Sequence, residues 1–286
     1  VGSREIGYLF GAYKKLKNEF AGVLTGKGVK WGGSLIREEA TGYGLIIFAQ
    51  HMLNRLDDSL KGKKCLVSGS GNVAQYAIEK ILHYEGIPIT VSDTSGTIID
   101  ESGIDYEKLK YIKHLKNVER ERIKVYKDKF PEAQYIPNHS DSAAKTVWKV
   151  KGNCAFPCAT QNEVNNQDAQ NLVDNGIQLI AEGANMPLTT EAINIVMDAG
   201  IPFGPGKASN AGGVAISGLE MMQNRMGIYW TRKQVSKELE NIMDTIHDNC
   251  LEAAESYSVP GNYVAGANIA GFIKVAESMV AQGYFA

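Results

Sequence analysis

The stretch Cys65-Leu66-Val67-Ser68-Gly69-Ser70-Gly71-Asn72-Val73-Ala74 narrows the folds open to this chain more than any other. A short apolar run enters a glycine-rich turn, and the turn opens an amphipathic helix. Such an arrangement gathers backbone N–H groups at a helix N-terminus into a cradle for a pyrophosphate. Gly69 allows the tight turn, and Gly71 removes the Cβ that would hold phosphates away. Ala74, in the third place of Gly-x-Gly-x-x-Ala, lets the helix pack close to its strand. The spacing alone is a weak signal, and the readable strand, turn and helix around it strengthen it. Ser68, Gly69, Ser70, Gly71, Asn72 and Val73 are therefore candidate cofactor-binding residues.

An alternating pattern surrounds this turn. Apolar periodicity predicts helices over 5–16, 38–56 and 72–84, then helical pieces in the charged stretch 105–129. Further helices are expected at 165–175, 189–199, 213–225, 232–254 and 264–282. Short apolar runs at 64–68, 87–92, 153–156 and 177–181, with an extended piece at 201–203, read as strands. Strands separated by helices imply an α/β fold, a doubly wound parallel sheet of Rossmann type, with additional C-terminal helices. Ligands of such sheets lie beyond the carboxyl ends of the strands. The polar and glycine-containing segments Asp93-Thr94-Ser95, Pro157 to Asn162 and Gly183-Ala184-Asn185 all fall there.

Composition excludes several classes of function. A chain of 286 residues with 44% apolar residues supports one large domain or two ordinary ones. A formal net charge of −2 and no basic stripe argue against a nucleic-acid partner. No apolar run reaches membrane-spanning length, and the first residues do not read as a signal peptide. Cys65, Cys154, Cys158 and Cys250 suit buried thiols in a reducing compartment, so the expected location is the cytoplasm. Cys154 and Cys158 lack a second Cys/His pair at finger-like spacing, so no metal site is expected.

Asp93 lies 24 positions past Gly69 at the end of the second expected strand. An acid near this spacing accepts hydrogen bonds from the adenosine ribose of NAD; the plainer reading is a turn aspartate. Thr94 and Ser95 can donate to a 2′-phosphate, and Lys116 and Arg122 can reach back to it, although a solvated helix face explains both cations more simply. Ala159, Thr160 and Gln161 follow a strand as a loop able to touch the cofactor ribose, with Asn162 a candidate cap for the next helix. Ala184 and Asn185 occupy the equivalent place one strand later. Asn210 precedes Gly212-Gly213 at a helix entry, and Ser217 follows it by about two turns.

Five segments together resemble glutamate dehydrogenases, most closely the bacterial-type, small-subunit, NADP-dependent ones. They are Arg37-Glu-Glu-Ala-Thr-Gly-Tyr-Gly44, Ser68-Gly-Ser-Gly-Asn-Val-Ala-Gln75, Cys158-Ala-Thr-Gln-Asn-Glu163, Glu182-Gly-Ala-Asn-Met-Pro187 and Asn210-Ala-Gly-Gly-Val-Ala-Ile-Ser-Gly-Leu-Glu-Met-Met-Gln-Asn224. The resemblance implies that Thr41 and Asn210 hold the nicotinamide carboxamide, with Asn72 and Arg37 near it. It implies that Ser217 binds the substrate's side-chain carboxylate, with Val214 lining that pocket. It places Asp93, Thr94, Lys116 and Arg122 where the 2′-hydroxyl or 2′-phosphate is read, which favours NADP, with NAD as the alternative. The implied reaction is reductive amination of 2-oxoglutarate by ammonia to glutamate, and the reverse, in a homohexamer. A dehydrogenase for another amino acid and a dinucleotide-sensing domain without catalysis are the competing readings.

Family members also carry a substrate domain with a catalytic lysine and, in a Pro-x-Gly-Asp motif, a catalytic aspartate. Neither motif occurs in this sequence, and Val1 to Gly7 looks like the continuation just after the aspartate. The expectation is therefore a C-terminal portion with no catalytic residue of its own, which binds dinucleotide with little or no catalysis. Residues 1–34 are expected to be a remnant of the substrate domain and connecting loop, 35–262 the dinucleotide-binding domain, and 263–286 a helix returning to the substrate domain.

Overall fold

The computed structural model describes residues 2–138 and 146–283. Helix α1 (Ser3–Lys17) leads into a glycine-containing loop, and α2 (Ala40–Asn54) follows. Strand β1 (Lys64–Val67), α3 (Asn72–His83) and β2 (Ile87–Pro88) form the first parallel unit. A hairpin of β3 (Thr90–Asp93) and β4 (Gly96–Ile99) comes next, then α4 (Tyr106–His114), α5 (Tyr126–Lys129) and β5 (Gln134–Pro137). Alternation resumes with β6 (Cys154–Phe156), α6 (Asn166–Asp174), β7 (Leu179–Ala181), α7 (Thr190–Asp198) and β8 (Phe203–Gly204). The chain closes with α8 (Gly206–Ser209), α9 (Gly212–Met226), α10 (Arg232–Ser256) and α11 (Tyr263–Gln282).

The main sheet is parallel, in the order β2-β1-β6-β7-β8. Both faces are covered, which is why its central strands are uniformly apolar. Strand alternation divides their side chains between two cores. Cys65, Val67, Cys154, Phe156, Leu179 and Ala181 point into the core shared with α2 and α3, whereas Leu66, Ala155 and Ile180 point into the core shared with α6 and α7. Helix α2 is buried on nearly every side: Leu45, Ile46, Ile47, Phe48, Ala49, Met52 and Leu53 are all inaccessible or nearly so. Truncating Phe48 to alanine there would cost about 3–5 kcal/mol.

One element differs from the sequence reading. The strand expected over 87–92 divides at Ile89. Its first half pairs with β1, and its second half turns into an antiparallel sheet ordered β3-β4-β5. That sheet is an insertion in the βαβ rhythm, so the alternation of strand and helix gives no sign of it. The turn that makes it, Asp93 to Gly96, looks in sequence like a strand-end ligand loop. A second correction concerns capping: Asn165, not Asn162, caps α6 by accepting from the Asp168 N–H at 3.0 Å.

The two terminal helices are less covered than their apolar stripes suggest. Only Phe10 of the α1 stripe is buried, stacked on Trp31, while Leu9 and Leu16 are exposed. Helix α11 contacts α10 through Tyr263 and Gly266, and Phe272, Val275, Met279 and Val280 stand in solvent. Among the described residues α11 is also long enough and apolar enough to cross a membrane, by length and composition only. That qualifies the sequence reading, since Asn268, Lys274 and Glu277 interrupt the run without lowering its average enough to exclude it.

Candidate functional site

The order of the sheet reverses between β1 and β6: the chain goes from β1 outward to β2, then returns to the other side of β1. Loops at such a switch point diverge and leave a crevice beyond the strand ends. Here the crevice is bounded by the turn 68–71 after β1 and the loop 157–162 after β6. Gly69 has φ +81°, a left-handed conformation, and a Cβ on it would lie 3.1 Å from Ala159 Cα. Gly71 has no heavy atom within 4 Å of a built Cβ, so its open side faces free space at the N-terminus of α3. A pyrophosphate fits that cradle by charge and by room.

Buried carboxylates hold the loops. Ser68 is inaccessible, and its hydroxyl donates to Glu163 Oε1 at 2.9 Å while accepting from the Cys158 N–H at 2.8 Å. The same Glu163 oxygen accepts from the Ala159 and Thr160 N–H groups. Ser68 therefore ties the β1 turn to the β6 loop through its hydroxyl. One strand further, Glu182 accepts from the N–H groups of Leu188 and Gly206 at 3.2 and 2.6 Å. Burial raises the Glu182 pKa, against those N–H groups and Lys207, which pull it down. Sequence reasoning missed both roles; for Glu182, an acid placed directly at a strand end before small residues was the available sign.

A cleft of about 610 Å³ opens above these loops. Arg37, Thr41 and Val73 form one wall, and Ala159, Thr160 and Gln161 a second. Ala184, Asn185 and Asn210 form a third, and Val214 and Ser217 continue the lining along α9. Cys158, Gly183 and Gly213 also line it, although none was among the chosen residues. A Cβ on Gly213 would sit 2.2 Å from Thr41 Oγ1, and one on the neighbouring Gly212 would sit 2.2 Å from the Ala40 carbonyl oxygen, so α9 lies this near α2 because position 212 is glycine.

Arg37 Nε donates to Ser217 Oγ at 2.7 Å, and Ser217 Oγ donates in turn to the Gly213 carbonyl at 3.1 Å. Burial lowers the Arg37 pKa, while Glu220 and Glu38 oppose it. The guanidinium still stays charged. The Asn210 amide nitrogen faces three acceptors, the carbonyls of Gly183 and Ala184 and Asn185 Oδ1, at 3.0–3.3 Å. Its own Oδ1 accepts nothing among the described residues, which leaves an acceptor at the cleft. Asn72 lies outside this lining, exposed, and donates from Nδ2 to the Glu38 carbonyl at 2.5 Å.

Asp93, Thr94, Lys116 and Arg122 form a separate cluster at the tip of the β3–β4 hairpin. The Asp93 carboxylate accepts from the Ser95 N–H and hydroxyl at 2.8 and 2.6 Å, from the Ile123 N–H at 2.9 Å and from Lys116 Nζ at 3.2 Å. Burial pushes its pKa up, but these donors outweigh burial and hold it below the usual carboxylate value. Asp93 is thus engaged on both oxygens, as the turn reading expects. Arg122 Nη1 donates to Thr94 Oγ1 at 2.6 Å, so two cations and a hydroxyl converge at the tip.

The sequence profile of the glutamate/leucine/phenylalanine/valine dehydrogenases matches residues 32–283. The chain belongs to that family. It is 53% identical over 285 residues to the NAD(P)-specific glutamate dehydrogenase of Xylanibacter ruminicola, covering all of this chain and 63% of that protein. It is 50% identical over 286 residues to the NADP-specific glutamate dehydrogenase of Giardia intestinalis, covering 99% of this chain and 62% of that protein. A crystal structure of Plasmodium falciparum glutamate dehydrogenase superposes with a TM-score of 0.95 at 48% identity, over all of this chain and 60% of that one. The chain thus spans less than two thirds of the length of these relatives.

Proposed function

We propose that this chain carries the cofactor site and one wall of the substrate pocket of an NADP-dependent glutamate dehydrogenase. One observation carries the reading: the cleft that holds the Arg37–Ser217 pair also takes in Val73, at the start of α3, and the loop 158–161 that packs on the dinucleotide turn. A cofactor site alone needs no such pair. In this reading the turn 69–71 and the α3 N-terminus bind the pyrophosphate. Thr41 Oγ1 and Asn210 Oδ1 take the carboxamide, with Asn72 nearby, and Ala159, Thr160, Gln161, Ala184 and Asn185 flank the nicotinamide ribose. Lys116, Arg122 and Thr94 take a 2′-phosphate, which places NADP ahead of NAD.

When bound, the nicotinamide supplies or accepts the hydride at the substrate's α-carbon. Ser217 and Arg37 hold the side-chain carboxylate of glutamate or 2-oxoglutarate, with Val214 beside it, so that the α-carbon faces the nicotinamide. This positioning counts because alignment of reacting centres contributes a large part of a hydride-transfer barrier's reduction. The reading extends to a homohexamer of the full-length protein in the reducing cytoplasm, which the four free, buried thiols suit. It also keeps the division into 1–34, 35–262 and 263–286, with the open apolar half of α11 covered by the substrate domain. Val1 and 284–286, which belong to the outer segments, lie outside the described residues.

The test is a chimera in which residues 1–286 replace the matching portion of an active relative. Ammonium-dependent oxidation of NADPH by 2-oxoglutarate is expected, with 4-methyl-2-oxopentanoate poorer by about 100-fold because it leaves the half-buried Arg37 guanidinium without a carboxylate. Preference for the branched keto acid would point instead to another amino-acid dehydrogenase. Dinucleotide binding with no turnover of either would favour a sensing domain.

A further inference from the structure

Helix α4 does not end in an ordinary turn. Residues Leu115–Glu119 form a π-helical turn, and the Leu115 carbonyl accepts from the Arg120 and Glu121 N–H groups. Such wide turns are uncommon and insert one residue, which re-aims the side chains around them. This one carries Lys116 and Asn117. Asn117 makes a reciprocal amide pair with Gln75 of α3: Asn117 Nδ2 donates to Gln75 Oε1 at 3.0 Å, and Gln75 Nε2 donates to Asn117 Oδ1 at 3.2 Å. Gln75 is inaccessible, and its Nε2 also donates to the Ser70 carbonyl at 2.8 Å. The residue next to Lys116 is therefore linked through one side chain to the middle of the dinucleotide turn. The other end of Lys116 is fixed as well, with Nζ donating to Asp93 and to the Glu121 carbonyl.

We propose that Gln75 and Asn117 are positioning residues that set the distance between the pyrophosphate turn and the Lys116 ammonium, and so confer selectivity for a phosphorylated adenosine ribose. The inference rests on the reading of Lys116 as a phosphate contact. The pyrophosphate and the 2′-phosphate hang on one ribose, at a separation the ligand fixes. A cation helps only when it is held in register with the turn, and holding it beforehand avoids the entropy of ordering a long side chain on binding. The amide pair supplies that register without touching the ligand. Asp93 supplies the rest by steering Nζ.

The experiment is calorimetric titration of the chain with NADPH and with NADH, for the wild type, Asn117→Ala, Lys116→Ala and the double variant. Asn117 is exposed, so the substitution spares the core. Loss of the paired hydrogen bonds is expected to weaken NADPH about tenfold and NADH less than about twofold. The double variant should bind NADPH no worse than Lys116→Ala, because Asn117 acts through Lys116. Equal loss for both cofactors, no loss, or additive losses would overturn the proposal. A silent Asn117→Ala beside a damaging Lys116→Ala would remove the amide pair alone. A Lys116→Ala that leaves the NADPH/NADH ratio unchanged would remove the parent reading, and the proposal with it. If Asn117→Ala lowers the Tm, Asn117→Ser serves: it adds no charge and cannot bond both atoms of the Gln75 amide as the pair does, and the same NADPH-specific loss is expected.

Discussion

Arg37 donates to Ser217 across 180 positions of sequence, at 2.7 Å, and so joins the loop before α2 to the second turn of α9. The hydroxyl fixes the guanidinium at the cleft wall without neutralising it. An anion arriving there meets a charge already oriented. Ser217→Ala should leave NADPH binding within about twofold and weaken 2-oxoglutarate binding to the NADPH-loaded chain about tenfold, the scale of a hydrogen bond to a charged group. Calorimetry of the binary and ternary complexes reads both numbers, and a loss of NADPH affinity would misplace the residue.

Gly71 and Gly212 separate binding from folding. A Cβ on Gly71 meets nothing in the protein, so Gly71→Ala should unfold at the wild-type temperature yet bind NADPH about tenfold or more weakly, because the methyl occupies the cradle. A Cβ on Gly212 meets the Ala40 carbonyl oxygen at 2.2 Å, so Gly212→Ala should lower the Tm by forcing α9 away from α2. Thermal melts paired with titrations would show this opposition, or its absence.

Lys27 and Glu220 form an ion pair at 2.6 Å with both side chains fully inaccessible. Glu220 also accepts from the Gly26 and Lys27 N–H groups, so it anchors the glycine-containing loop on α9. Glu220→Ala strands a buried ammonium and should cost about 3–5 kcal/mol, whereas Lys27→Met with Glu220→Leu should recover the part due to the charge and not the part due to the two N–H groups. Urea unfolding distinguishes the two; a harmless single variant would mean the ammonium finds water.

His247 is buried between Phe48, His51 and Tyr263, with Tyr263 Oη 3.0 Å from Nε2. Burial lowers its pKa; the Asp248 carboxylate opposes this, while the charges of His51 and Arg55 add to it. The unfolded chain therefore takes up a proton below about pH 6.5 that the folded chain refuses, and stability falls as pH drops from there toward the lowered folded value. Urea midpoints at pH 7.5 and 5.5 should show that fall, and His247→Gln should reduce it. An unchanged pH dependence in the variant would place the titration elsewhere.

The parallel sheet and its helices were legible because both faces of the sheet are covered and its strands are unbroken apolar runs. The cleft walls were legible for a different reason: strand-end loops carry glycine, alanine and amides where a backbone must approach a ligand. The antiparallel hairpin was not legible, since Asp93 to Gly96 serves as a turn and a strand end at once. Nor were the inward roles of Ser68, Asp93, Glu163 and Gln75. Polar residues in a glycine-rich motif look like ligand contacts in sequence. Only the partners at 2.6–3.2 Å reveal that these four tie the β1 turn, the β6 loop and the hairpin tip in place.

Side-by-side titration of the purified chain with NADPH and NADH tests the central claim most directly. The account predicts one site per chain and about tenfold or greater preference for NADPH, from charge-assisted contacts that NADH lacks. Equal affinity for the two cofactors, or binding of neither, would contradict it.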